Sequence, residues 1–545
     1  MKNKYLLIIY YLVHSSISFS QTTNWQWAKG ATDPGFEEGY GVAADKSGNV
    51  YLVGEYDTDT CTFDTINLLT GGNQTGFIVK YGPSGNVLWA QSITNAGDNY
   101  AWVYAVATDP NNNVYVTGRF QGSIKFADSV LLSAQAGNDQ SFFVAKYDST
   151  GKELWAQVGG GNGQSWAQSV AADKNGVYIT GYDDGWINTF SDSVQTDGGG
   201  FIARYNPGGQ ALWASVYTVT SMTTLYGVAT DSKGNVYATG GDGSVVIAKY
   251  DSSGNQLWFR SVLAGSDGTG NGAATDTSGN VYITGYFQSD SIVFGSQVLY
   301  HNPTNYGDCF LAKYDSKGNA IWARHATGTG GQIGYGVAVD KEGNVFISGS
   351  LGSDTLTFDS SVVIFFPSDG GDAMFVATYD ENGNIMCASA LSSGGDDQNG
   401  ITVDNRGNAY TGGDFEVNPF VVGRDTLILP ANGGGGNEET AFVAKFSCGP
   451  PVPENIRNIT DNYSLQLHPN PFTTQAIVQY ALPDGSKNAT LIIYDIMGRK
   501  LNSYALNNTT GEITINANTL SSGVYLYSLV ANGKTIATKK MVIQE

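Results

Sequence analysis

Short runs of alternating apolar and polar residues, each closed by a turn rich in Gly, Asn or Asp, fill most of the chain. The stretch VATDSKGNVYATGGD, Val228–Asp242, shows the unit. An apolar run leads into a turn where Gly234 and Asn235 tolerate positive φ, and a second run rich in Val, Tyr and Thr follows. This pattern predicts a β-hairpin. Close copies begin at Val42, Val106, Val170, Ala273, Val337 and Ile401, making seven in all. Their anchoring aspartates, Asp45, Asp109, Asp173, Asp231, Asp276, Asp340 and Asp404, are spaced by 64, 64, 58, 45, 64 and 64 residues. Such regularity outweighs the several separate domains that 545 residues would otherwise suggest.

Each copy has a second half, as in FFVAKYDSTGKELWAQ from Phe142 and CFLAKYDSKGNAIWAR from Cys309, in which two runs flank a D-x-x-G turn. Two hairpins per unit give four antiparallel strands. That is the blade of an all-β propeller, where each unit buries its faces against its neighbours around an axis. The ends of the repeat region predict how the ring closes. NWQWAKG at Asn24 matches the fourth-strand pattern, and the seventh copy stops at AFVAKFSCG without one, so the first strand is expected to complete the last blade.

Trp27, Trp89, Trp155, Trp213, Trp258 and Trp322 hold one repeat position, with Cys387 in the seventh, and read as packing between blades. The repeated Asp-x-x-Gly-Asn reads as an Asp capping a turn, because a calcium loop needs several more oxygen ligands. The motifs D-x-x-G-N-V-Y-x-T-G and D-x-F-x-A-K-Y-D resemble the seven-bladed beta-propeller repeat (SBBP) family. The resemblance implies a fold and leaves the activity open.

The repeat ends before CGPPVPENIRNITDN, and a different small domain begins near Tyr463. The expected layout is a signal peptide at 1–20, a propeller at 21–448, a linker at 449–462 and a small Ig-like β-sandwich at 463–545. In that tail PNPF (Pro469, Asn470, Pro471, Phe472), YDIMGR with Gly498 and Arg499, SSGVYLYSL with Gly523, and KKMVI with Lys540 follow in order. Together they resemble the type A C-terminal sorting domain of the type IX secretion system. That resemblance implies the secretion machinery as partner and delivery to the outer surface of a Gram-negative bacterium or to the medium.

The N-terminus agrees with export. MKNKYLLIIYYLVHSSISFSQ has two lysines, a short apolar run and small residues before Gln21, as a cleaved signal peptide does. The apolar run is too short to span a membrane, and no later stretch qualifies. Lys and Arg total 28 against 49 Asp and Glu, a net charge of −21, which would repel a nucleic acid backbone. Four cysteines are too few for a disulfide framework; Cys387 and Cys448 lie in consecutive repeats, and both a bridge and unpaired burial fit them.

A site is expected on one end of the propeller. Longer copies carry their extra residues between the two hairpins, on the face where blade-to-blade connections also emerge. On that face, five residues before each anchoring Asp, stand Tyr40, Tyr104, Gln168, Tyr226, Asn271, Tyr335 and Asn399. With the V-A-A-D strand innermost these seven ring the channel mouth, offering stacking and neutral hydrogen bonding to a glycan or a peptide.

Catalytic constellations are sparse. His301, His325 and His468 occupy no repeated position, no G-x-S-x-G elbow occurs, and the glycine runs at Gly159 and Gly433 lack a strand-to-helix context. The pairs Asp183 with Asp184 and Asp396 with Asp397 would need folding to oppose them across a cleft. The expectation is a non-catalytic surface binding or adhesion protein needing no cofactor or metal. The alternatives are a surface enzyme acting on polysaccharide and a structural component of the surface layer.

Overall fold

The computed structural model describes residues 23–448 and 464–544, apart from short internal stretches of which the longest are 135–139, 218–222, 366–371, 395–399, 430–438 and 483–488. The signal peptide, the linker, Asn399, the Asp396–Asp397 pair, the run at Gly433, Gly498 and Arg499 lie outside the described residues. The chain forms two compact units that divide between Pro451 and Val452.

Unit one is a ring of seven four-stranded antiparallel blades. The fourth blade is the smallest, with strands Thr224–Thr230, Val236–Gly241, Ser244–Tyr250 and Gln256–Leu263 ordered from the axis outward. The two middle strands are buried along nearly their whole length, because neighbouring blades cover both faces. This explains why V-Y-x-T-G and V-x-I-A-K-Y read as near-continuous apolar runs. The seventh blade joins Gly400–Val403, Ala409–Phe415 and Thr440–Cys448 to the first strand of the chain, Thr23–Gly30. That strand pairs antiparallel from Thr23↔Cys448 to Gly30↔Phe442, so the ring closes by strand exchange.

The tight-turn end of the ring repeats one set of contacts. In blade four Asp231 Oδ1 accepts from the amides of Lys233 and Asn235 at 2.9 and 3.0 Å, and Oδ2 accepts from the Asn235 amide group and the Tyr237 hydroxyl. The Asp therefore caps its turn with both oxygens occupied. Lys249, 3.7 Å from Asp231, reaches over the Tyr237 ring and donates to the Ser316 carbonyl of the next blade. Trp258 Nε1 donates to that same carbonyl at 3.1 Å.

Equivalent tryptophan bonds of 3.0 to 3.3 Å run from Trp27, Trp89, Trp155, Trp213 and Trp322 to turn carbonyls of the following blades. The turn glycine makes room for the indole. At Gly254, φ +88, a Cβ would lie 2.8 Å from the Trp213 ring.

The sixth junction departs from this pattern for a reason the closure supplies. Blade seven receives its outer strand from the other end of the chain, so it has no third-to-fourth turn to accept an indole N–H. Cys387 stands in the tryptophan position of blade six, and it forms a disulfide with Cys448 at a Cα separation of 5.9 Å. The bridge left open by the sequence therefore takes the place of the missing latch.

The extra residues of the longer copies form hairpins of their own, such as Ser123–Phe126 with Val130–Ser133. This hairpin pairs with the outer strand of the preceding blade, Phe126 opposite Ile93, and buries Phe126 completely. Gly160↔Thr189 and Ala326↔Phe358 repeat the arrangement at two other junctions. The inserts are thus straps between blades at the periphery.

Unit two has sheets of three strands (Ser464–His468, Gln475–Ala481, Thr510–Asn516) and four (Lys500–Leu506, Ala489–Asp495, Gly523–Ala531, Lys534–Ile543) around one core. It is a β-sandwich. Its fourth strand lies beside the third rather than in the first sheet, unlike a constant-type immunoglobulin domain. The motif PNPF and the closing KKMVI prove to be one structural feature. Asn470 Oδ1 accepts from the Val542 amide at 2.8 Å, the Phe472 amide donates to the Val542 carbonyl, and the Phe472 ring is buried. Lys540 pairs opposite Leu526 in the last sheet.

Candidate ligand-binding mouth of the channel

The innermost strands begin at the elaborated end and run toward the Asp-capped turns. In six of them the pairing to the second strand slips at one place. Gly39 pairs with Gly54 and Gly41 with Val53, leaving Tyr40 as the extra residue of a β-bulge. Identical slips isolate Tyr104, Gln168, Tyr226, Asn271 and Tyr335. The bulged residues are therefore the six predicted positions that can be described, and all six are half-buried.

They line one cavity of about 430 Å³ at the axis. The sequence carried a signal for the bulge that spacing alone did not expose: a small residue follows each ring position, as in Gly41, Ala105, Ser169 and Gly272. A Cβ on Gly272 would lie 2.7 Å from the Tyr335 carbonyl of the next blade, so adjacent inner strands nearly touch here.

Polar character varies around the ring. Asn271 donates to the Gly334 carbonyl at 2.9 Å, while Gln168 Oε1, buried from water, has no protein donor. The Tyr40 ring meets Tyr104 edge-on at 5.5 Å, and its hydroxyl sits between Glu38 and Glu55, 3.0 Å from Glu55 Oε1. Burial, reinforced by repulsion from Glu38, holds the Glu55 carboxyl well above the usual carboxylate range.

Other candidate groups go elsewhere. Asp183 is buried and receives the Ser165 hydroxyl and the Gly185 amide, while Asp184 accepts from the Gln164 amide, so both serve local turns. His301 Nδ1 is 3.2 Å from Asp308 beside the Phe287 ring, and burial depresses the pKa of His325. His468 is exposed in unit two. Among the described residues no group of three His, Cys, Asp or Glu is arranged to hold a metal ion. No helix among them is long and apolar enough to cross a membrane.

Residues 466–544 match the family described as a secretion system C-terminal sorting domain. An uncharacterized WD repeat-containing protein of Acanthamoeba polyphaga mimivirus is 24% identical over 461 residues, a match covering 70% of this chain and 29% of that protein. The chain thus spans less than a third of that relative. Among solved structures, Sqt1 from Chaetomium thermophilum superposes with a TM-score of 0.36 at 9% identity, covering 79% of this chain and all of that one. The Dos1 propeller gives 0.35 at 11%, covering 78% and 95%.

Proposed function

We propose that this chain, which its sorting domain directs through type IX secretion to the cell surface or the medium, binds an extracellular glycan at the channel mouth without transforming it. The supporting observation is the ring of bulges, which turns four tyrosines and two amide side chains into one open cavity. Tyrosine faces stack on the apolar face of a sugar, and hydroxyls and amides satisfy its hydroxyl groups. The full chain applied to a glycan array tests this. Retention of a defined glycan set that is lost in a Tyr104→Ala/Tyr226→Ala double variant of unchanged melting temperature is the expected result. Retention of a peptide library instead of glycans, or full glycan binding by the double variant, overturns it.

A second reading as a polysaccharide-cleaving enzyme is favoured by one feature, the facing Glu38 and Glu55 around Tyr40. Two facing carboxyls, one held above the usual carboxylate range by burial, suit general acid and base roles. Release of new reducing ends from a bound glycan, abolished in Glu55→Gln, would select it over simple binding.

A further inference from the structure

The mouth is not symmetric, and its asymmetry narrows the class of glycan. This inference rests on the reading of the ring as a sugar site. Two residues before each ring position, toward the elaborated end, the inner strand meets the second strand in a cross-strand pair. On the side of blades four and six these pairs are small or neutral, Thr224 with Gly241 and Ile333 with Ser350. In blade two the pair is Trp102 with Arg119.

Arg119 is held as a fixed cation. Its guanidinium lies 3.6 Å from the centre of the Trp102 ring, with Tyr104 at 5.6 Å and Trp166 of blade three at 5.9 Å. Trp102 is itself braced by Tyr100, stacked at 4.8 Å, and by its Nε1 donating to Gln74 at 3.0 Å. Glu55 of the adjacent blade attracts this charge through space without a contact ion pair between them. Nη1 makes a long bond, 3.3 Å to Gln140 Oε1, the guanidinium also donates to the Tyr104 hydroxyl, Nε is buried without an acceptor, and among the described residues no carboxylate forms a contact ion pair with it.

Burial holds the carboxyl of Glu55, the acid that attracts Arg119, well above the usual carboxylate range, which weakens it as a partner. Arg204, Arg260 and Arg324 instead donate to turn carbonyls of the next blade at the other end, although Arg204 Nε is also without an acceptor. A half-buried guanidinium with spare in-plane donors is built to take a carboxylate.

We propose that the mouth selects sugars bearing a carboxylate, with Arg119 pairing to the acid group while Trp166 and Tyr104 border the sugar ring. The probes are oligosaccharides of polygalacturonate, alginate and hyaluronate and sialyllactose, each beside its carboxyl-reduced neutral counterpart, with dextran sulfate as a non-carboxylate polyanion. The full chain is expected to bind at least one acid at least tenfold more tightly than its reduced form and than dextran sulfate. Arg119→Gln is expected to erase that preference and Arg119→Lys to restore part of it, at unchanged melting temperature.

The wild-type comparison decides even if the variants misfold. Equal binding of every acid and its reduced form, or no retention of any acid, overturns the inference. So does a preference for dextran sulfate, or an acid preference intact in Arg119→Gln. Tyrosine-dependent binding of neutral glycans without acid preference removes this inference and leaves the binding function standing; loss of all glycan binding removes both.

Discussion

The two ends of the propeller are built from the same seven blades and have opposite relations to the repeat. At the tight-turn end blade after blade uses the same Asp, Lys, Trp and Gly, and each is consumed by a contact within its blade or to the next. At the mouth the backbone repeats, bulge for bulge, while the side chains change from Tyr to Gln to Asn and from Trp102 to Thr224 at matching positions. Where a repeat position answers to its neighbouring blade it is held constant. Where it faces the open cavity it is released to vary, and that is where chemistry gathers.

The largest effect is expected from opening the ring. Removing Asn24–Lys29 strips the outer strand from blade seven and exposes the edge of Thr440–Cys448. Thermal melting should collapse or fall steeply; an unchanged midpoint would mean that closure contributes nothing.

Next come the latches. Trp322 is nearly buried and bonded to the Glu381 carbonyl, so Trp322→Ala should cost about 3–5 kcal/mol, measured by denaturant unfolding. The disulfide closes a loop of sequence separation 61 at the junction without an indole, and Cys387→Ser/Cys448→Ser should cost about 2–4 kcal/mol. By contrast, Tyr226→Ala at the mouth should cost less than Trp322→Ala while reducing ligand retention. If it destabilises as much, the ring is core and the contrast between the ends fails.

A smaller, pH-dependent effect lies at the start of blade one. Burial, with repulsion from Asp33 and Asp57, raises the Glu37 carboxyl from its ordinary 4.5 to about 8, with Cys61, Thr58 and Thr440 also facing it. The folded chain keeps a proton that the unfolded chain releases above pH 4.5. The contribution is therefore complete below 4.5 and is lost as pH rises to about 8. Glu37→Gln should melt progressively higher than the parent across that window; a constant offset would show that Glu37 stays ionised.

Much of the fold was legible because the repeat is the fold. Seven anchoring aspartates gave the blade number, and the unmatched strand at Trp27 gave the closure. Three features were not. The strap hairpins were hidden because their pairing partners belong to the preceding blade, so each insert looked like a free loop. The bulges were hidden because one inserted residue breaks the alternation without changing the spacing between copies, although the small residue after it was visible. Arg119 was hidden because its position holds no repeated residue: Glu55, Tyr182, Gly241, Tyr286, Ser350 and Asp414 stand there in the other copies.

Hydrogen–deuterium exchange of the full chain, with and without the glycan it retains, tests the contrast between the ends most directly. The account predicts added protection confined to the mouth, at the bulged inner strands around Tyr40, Tyr104 and Tyr226 and the strand carrying Arg119, with the turns at Lys46 and Lys233 unchanged. Protection concentrated at those turns, with the mouth unaffected, would contradict it.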